Sequence, residues 1–90
     1  MPKFDPGQIV ATPAALGAIR PSGQTPTEFL RKHVNGDWGH LDGHDQKQNQ
    51  IALREGGRLV SAYQTRKGDD LWVITEVDRS STCLLLPSEY

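Results

Sequence analysis

Cysteine and long apolar runs are both scarce in this chain of 90 residues. The single cysteine, Cys83, excludes an internal disulfide framework of the kind that staples small secreted domains. No apolar stretch approaches the roughly 18 residues of a membrane-spanning helix, and the N-terminal sequence MPKFDPGQIV lacks the apolar core of a signal peptide. We therefore predict a cytoplasmic protein that does not enter a membrane.

The chain also lacks an excess of either charge. Ten Lys and Arg residues stand against eleven Asp and Glu residues, for a net charge of -1, and like charges form no long block. Sequence-independent binding to DNA depends on clustered cations that neutralise phosphates, so nucleic acid is disfavoured as a partner. Only the more basic N-terminal third, with Arg20, Arg31 and Lys32, keeps that alternative open.

Specific catalytic, metal-binding and phosphate-binding motifs are missing from the sequence as well. A chain this short buries only about 60 to 65% of the surface that its unfolded state exposes, so its core must be thin. We predict one small globular domain, residues 1–90, that has no cofactor and whose function is not primarily catalytic.

Prolines preceded by threonine mark two helix starts. Thr12-Pro13 opens a short helix with its body at Ala14 to Ile19, which Pro21 and Gly23 end. The run Thr25-Pro26-Thr27-Glu28 has the pattern of a capping box, in which the Thr and Glu side chains each accept from the other's backbone N–H. We expect the second helix to start there and to stop at Asn35-Gly36.

The apolar stripe of the second helix is formed by Phe29, Leu30, His33 and Val34. His33 is expected to cap the last carbonyls of this helix or to be half-buried. A third, mostly polar helix is expected to start near Asp42 or Gly43 and to end at Gly56-Gly57.

From Arg58 onward the apolar pattern changes to a period of two, which predicts strands. Leu59 to Tyr63 forms the first, Leu71 to Val77 a central strand with Val77 inward and Trp72 buried on the other face, and Thr82 to Leu86 the third. The predicted fold is α+β, with two or three short helices on one face of a three-stranded antiparallel meander. A short N-terminal edge strand near Gln8 to Ala11 is allowed.

Several segments together resemble a family of short proteins carried on bacterial plasmids and integrative elements, usually described only as plasmid-related. The resemblance covers nearly the whole chain, and its most specific parts are Gly36-Asp37-Trp38-Gly39, Arg58 to Tyr63 and Thr75 to Tyr90. It implies a role on a mobile element and supplies no activity.

Some members of that family are labelled as associated with type I restriction systems. A literal reading would imply an adenine methyltransferase, which needs a doubly wound sheet, a glycine-rich cofactor loop and an Asn/Asp-Pro-Pro-aromatic motif. None of these fits this chain, so the label would imply association with such a system at most.

The loop from Asp37 to Asp45 is the only candidate metal site, through His40, Asp42 and His44. Gly39 and Gly43 disfavour the single helix that would place both imidazoles on one ion, and Asp42 is equally explained as a helix N-cap. A small metal-dependent or hydrolytic enzyme built on this loop, with Glu76 or Asp78, is the alternative function.

Candidate partner-binding residues are aromatic or lie near the last turn of the meander. They are Trp38, Tyr63, Glu76, Asp78, Arg79 and Tyr90. Trp38 is either an exposed anchor or a core residue, and the small size of the domain favours the core. Within the turn we expect a surface pair between Glu76 or Asp78 and Arg79, and in the last strand an inert, buried Cys83 thiol.

These observations favour a non-enzymatic accessory, adaptor or inhibitor protein of a bacterial mobile element. It would act by binding a protein, encoded by the host or by the element, such as a defence or restriction-modification component. An exposed sheet edge would also allow a homodimer.

Overall fold

The structure is a computed structural model, and it describes residues 2–90. Three helices, α1 (Pro13–Ile19), α2 (Pro26–Val34) and α3 (Gly43–Glu55), precede most of the sheet. The strands are β1 (Gln8–Ala11), β2 (Leu59–Gln64), β3 (Asp70–Thr75) and β4 (Ser81–Leu85). Short 3-10 helices follow α1 and β4, at Arg20–Ser22 and Pro87–Glu89. The predicted α+β fold is confirmed.

The sheet has the strand order β1-β4-β3-β2. Strands β2, β3 and β4 form the predicted antiparallel meander, while β1 adds a fourth strand that runs parallel to β4. The sheet is therefore mixed and one strand wider than the meander. A parallel neighbour needs a crossover connection, and the three helices between β1 and β2 belong to that connection.

The two faces of the sheet differ in what covers them. The inner face carries Leu71, Val73 and Leu84, which are fully buried beneath helices α1 and α2, and Leu59, which is fully buried in a second cluster with Trp38 and Ala52 of α3. Val77, predicted to continue this face, lies beyond the end of β3 and is 61% exposed. The strand stops at Thr75 because the backbone N–H of Glu76 donates to the carbonyl of Ser81 and closes the turn.

The predicted helix starts are correct, but one predicted cap is wrong. The Thr12 hydroxyl accepts from the backbone N–H of Ala15 at 3.0 Å, and Asp42 Oδ1 accepts from that of Asp45 at 2.8 Å. Thr25 is the N-cap of α2 but its side chain accepts no capping bond. The Glu28 carboxylate accepts from the Gln24 side chain instead, so no capping box forms.

His33 is fully buried, contrary to the expectation that it caps α2 or is half-buried. Its Nδ1 lies 2.5 Å from the Ser61 hydroxyl, and its Nε2 lies 2.9 Å from the Thr75 hydroxyl. The Thr75 hydroxyl is 2.6 Å from that of Thr82, which donates to the Pro6 carbonyl at 2.7 Å. The inner face therefore contains a continuous polar network.

The direction of every hydrogen bond in this network follows from its last member. A carbonyl can only accept, so the Thr82 hydroxyl proton is committed to Pro6, and Thr75 must donate to Thr82. Thr75 then accepts from His33 Nε2–H, which leaves Nδ1 to accept from Ser61. The imidazole is thus a neutral Nε2–H tautomer. Burial, followed by the nearby Arg79 charge, lowers the pKa of His33 to about 4.

Arg79 does not form the predicted surface pair with Glu76 or Asp78. Its guanidinium donates to the backbone carbonyls of Gly57 at 2.6 Å and Ala52 at 3.1 Å, at the C-terminal end of α3. The end of a helix carries partial negative charge on its last carbonyls, so the half-buried Arg79 cation is better placed there than beside an exposed carboxylate. Arg79 therefore joins the β3–β4 turn to α3.

Candidate protein-binding groove

Within residues 2–90 no helical layer covers the outer face of the sheet, yet most of its outward positions are apolar, the exceptions being Gln64, Asp70 and Ser81 at the strand ends. Pleat and register place the side chains of Val60, Ala62, Trp72, Ile74, Cys83 and Leu85 on this face, across β2, β3 and β4. All except Ile74 are half-buried. An antiparallel sheet with one solvated face normally alternates apolar and polar residues, so this face departs from the usual pattern.

A groove of about 430 Å³ runs over this face between α3 and the C-terminal residue. Its apolar lining comes from Leu41, Val60, Ala62, Trp72, Ile74 and Tyr90, and its polar lining from Asp45, Gln48, Asn49 and Arg58. The groove is therefore apolar along the sheet and polar along α3.

The rim of the groove is built from an aromatic pair and a cation. The Tyr90 ring meets the Trp72 ring edge-on, with centroids 5.5 Å apart. Arg58 donates to the Tyr90 hydroxyl and lies 3.5 Å from a Glu76 carboxylate oxygen. The 3-10 helix Pro87–Glu89 turns the chain back over β3, which is how a residue beyond the last strand reaches this position.

Two of the six predicted partner-binding residues, Glu76 and Tyr90, are brought together at this rim, through Arg58. Trp38 and Tyr63 are both buried. Trp38 stacks on Phe4 at 6.5 Å between ring centroids, as expected for a core residue.

The other predicted partner-binding residues have structural contacts. The Tyr63 hydroxyl donates to the Asp37 carbonyl at 2.5 Å, and burial raises its pKa. Asp78 is exposed in the turn, where its carboxylate accepts from the Ser80 backbone N–H at 2.9 Å. Hydrogen bonding from the Ser80 side chain, followed by that from its backbone N–H, lowers the pKa of Asp78. Arg79 binds the α3 carbonyls, so none of these side chains extends the groove.

The candidate metal residues do not converge. His40 is exposed, and its backbone N–H donates to the carbonyl of Ala62. Asp42 caps α3, and His44 lies exposed in the first turn of that helix. Within residues 2–90, no three His, Cys, Asp or Glu side chains lie close enough together to hold a metal ion.

Cys83 is half-buried on the outer face and not fully buried as predicted. Partial burial raises the pKa of its thiol, and the carboxylates of Glu89 and Glu76 add to this effect. Its sulfur faces the groove side of the sheet and belongs to the same apolar surface.

Sequence reasoning missed Trp72 and Arg58 as members of the site. The signal was available in the strands, where outward positions 60, 62, 72, 74, 83 and 85 are all apolar. We interpreted this as a strand covered on both faces, whereas helices cover only the inner face.

Comparison of the chain with protein-family models, with curated proteins and with solved structures finds no significant match. Among residues 2–90, no helix combines the length and apolar character needed to cross a membrane.

Proposed function

We propose that the chain is a non-catalytic accessory protein that binds a partner protein through the groove on the outer face of its sheet. The resemblance to plasmid-related proteins adds the biological setting of this proposal: an adaptor or inhibitor of a bacterial mobile element. A component of a host defence or restriction-modification system is the class of partner that this setting favours.

The apolar outer face carries this proposal. Six of the nine outward positions of the three strands carry apolar side chains, which is unfavourable for a sheet face that contacts only water. The groove rim adds Trp72, Tyr90 and Arg58, and these three residue types dominate the binding energy of protein interfaces. Tyr90 is 67% exposed, so a partner can contact it directly.

A partner protein fits this surface better than a small free ligand. The apolar surface continues past the groove to Leu85 and Cys83 on β4 and to Val10 on β1, which is 43% exposed. A small ligand would fill the groove and leave this strip in water. A protein that places an apolar side chain in the groove can cover the strip with the residues around it.

Affinity capture from the source bacterium, followed by titration with the purified captured protein, tests the proposal. The variants Trp72→Ser and Tyr90→Ala remove the aromatic rim. Val77→Ser is the matched control, because Val77 is an equally apolar exposed residue outside the groove lining. We expect the first two to weaken binding by about tenfold or more and the control to leave it unchanged.

Binding that survives both rim variants would contradict the groove as the binding surface. Amide chemical shifts of the ¹⁵N-labelled chain provide a second criterion, because the perturbed residues must include Val60, Ala62 and Ile74. A purified chain that forms dimers, and loses them in Trp72→Ser, would identify the occupant as a second copy and refute a heterologous partner.

A further inference from the structure

The two edges of the sheet differ in whether their backbone N–H and C=O groups have hydrogen-bond partners. On the β2 edge, Asn49 donates to the Val60 carbonyl at 2.7 Å and accepts from its N–H at 3.2 Å. Ala62 is the next residue whose backbone groups point away from β3. Its N–H donates to the carbonyl of Trp38, and its carbonyl accepts from the N–H of His40. The backbone groups of Val60 and Ala62 that point away from β3 are thus paired, which blocks the addition of another strand along this part of β2.

The β1 edge is open. In the parallel pairing with β4, the backbone N–H groups of Gln8 and Thr12 donate to the carbonyls of Ser80 and Leu84. Alternate residues of a strand bond to the same side, so Ile9 and Ala11 direct their N–H and C=O groups away from the sheet. In the sheet described for residues 2–90, no further strand follows β1.

An apolar groove lies beside this edge on the inner face. Ile9 is in register with the buried Thr82, so its side chain points toward the helices, and it is 42% exposed because no strand lies beyond it. The groove encloses about 340 Å³ and is lined by Pro2, Pro6, Ile9, Thr27, Leu30, Arg31 and Val34. An added strand would place alternate side chains in this space between β1 and α2.

Among residues 2–90, Arg31 is the only charged residue that lines the groove. The ion pairs within residues 2–90 are Arg54–Glu55 and Arg58–Glu76, so the exposed Arg31 guanidinium has no carboxylate partner. An occupant with an acidic side chain would complement it.

We propose that β1 receives an extended segment of a partner protein as a fifth strand, with an apolar side chain in the groove and a carboxylate on Arg31. The backbone of the segment pairs with Ile9 and Ala11, which supplies affinity independent of sequence, and the groove and Arg31 supply selectivity. This surface lies on the opposite face from the aromatic groove, and the inference does not depend on that groove.

A second copy of the chain suits this edge less well. A two-fold pairing of β1 strands would align Ile9 with Ala11 of the other copy and use only these two residues on each side, for about four backbone hydrogen bonds. Each copy would also bring its own Arg31 and no carboxylate from the groove lining. Charge complementarity therefore favours an acidic heterologous segment.

A phage-displayed library of random heptapeptides, selected on the purified chain, tests the inference. We expect the enriched sequences to alternate apolar residues with others and to contain an Asp or Glu. Synthetic copies of the enriched peptides should shift the amide signals of Ile9 and Ala11 and slow their hydrogen exchange. The variant Arg31→Glu should remove the acidic preference and select Lys or Arg instead.

Neighbouring residues of β1 provide a matched pair of variants. Ile9 and Val10 are 42% and 43% exposed but point to opposite faces. Ile9→Ser should weaken peptide binding by about tenfold, because the apolar contact in the groove is lost, whereas Val10→Ser should change it by about twofold or less.

Each of the following outcomes would overturn the inference. They are a library that yields no enriched sequence, enriched peptides that shift only Trp72 and its neighbours, equal effects of the two β1 variants, and a chain whose sedimentation shows dimers that disappear in Ile9→Ser. The last result would make the occupant a second copy. If Trp72→Ser abolished peptide binding and the β1 variants did not, the result would support the proposed function and refute binding of the peptide at β1.

Discussion

Acidification should destabilise this protein well above the pH at which most carboxylates titrate, because of one buried histidine. The pKa of His33 falls from 6.5 in the unfolded chain to about 4 in the folded state. Between these two values the unfolded chain binds a proton that the folded protein excludes. Stability is therefore fully present above pH 6.5 and declines as the pH falls toward 4.

The size of the effect follows from the two pKa values. Relative to pH 7, the free energy of unfolding should be lower by about 2 kcal/mol at pH 5 and by about 3 kcal/mol at pH 4. Domains of this size have total stabilities of about 5 to 10 kcal/mol, so the loss is a large fraction of the whole. Burial is the main reason for the lowered pKa of His33, because the charged imidazolium loses its hydration there, and the nearby Arg79 cation adds to the effect.

Urea unfolding followed by tryptophan fluorescence at pH 7, 6 and 5 measures the effect, because Trp38 is buried in the folded state. The variant His33→Gln should be less stable at pH 7 but should lose the dependence on pH over this range. His44→Gln, at an exposed position of α3, controls for the removal of a histidine as such. Nitrogen chemical shifts of the His33 ring in the unmodified protein report the tautomer directly.

A free energy of unfolding that stays constant from pH 7 to pH 5 would refute this reasoning. So would ring shifts characteristic of the Nδ1–H tautomer at neutral pH, because the hydrogen-bond directions would then be wrong. Either result can be obtained without a variant, so poor folding of His33→Gln does not compromise the test.

Three further changes test other parts of the fold by chemical denaturation. Gly39→Ala should destabilise the fold by about 2 kcal/mol or more, because a β-carbon there would collide with a β2 carbonyl and the residue has φ +74°. Gly43 has open space around it, so the free energy of unfolding of Gly43→Ala should be within about 1 kcal/mol of the parent value. Arg79→Ala should cost about 1 to 3 kcal/mol by removing the hydrogen bonds from its guanidinium to the carbonyls of Gly57 and Ala52, and Arg79→Lys should recover part of that loss. Asn49→Leu should cost a similar amount and speed hydrogen exchange at Val60, and unchanged exchange would contradict the role of Asn49 on that edge.

Local signals predicted much of this fold. Thr12 and Asp42 both cap helices as expected, since the chemistry of a cap depends on residues within one turn. The meander followed from the period of two and the polar turns. The capping box at Thr25 does not form although its pattern was the strongest, because the Glu28 N–H donates to the Thr25 carbonyl and the Glu28 carboxylate accepts from Gln24.

Features that depend on long-range contacts were not predictable. The parallel pairing of β1 with β4 joins residues more than 70 positions apart, and nothing local selects that partner. The hydroxyls that make His33 a buried residue come from β2 and β3, far along the chain. Arg79 likewise finds its acceptors on α3 and not among its neighbours, so its role in the structure, unlike that of Asp42, has no sequence signature.

The hydrogen-bond chain that ends on the Pro6 carbonyl links the N-terminal segment to the protonation of the interior. Removing residues 2–6 would leave the Thr82 hydroxyl free to rotate and accept from Thr75 or donate to it. The hydrogen bond between Thr82 and Thr75 would then no longer fix which ring nitrogen of His33 carries the proton. A backbone carbonyl of the N-terminal segment would thus decide which nitrogen of a buried imidazole carries hydrogen.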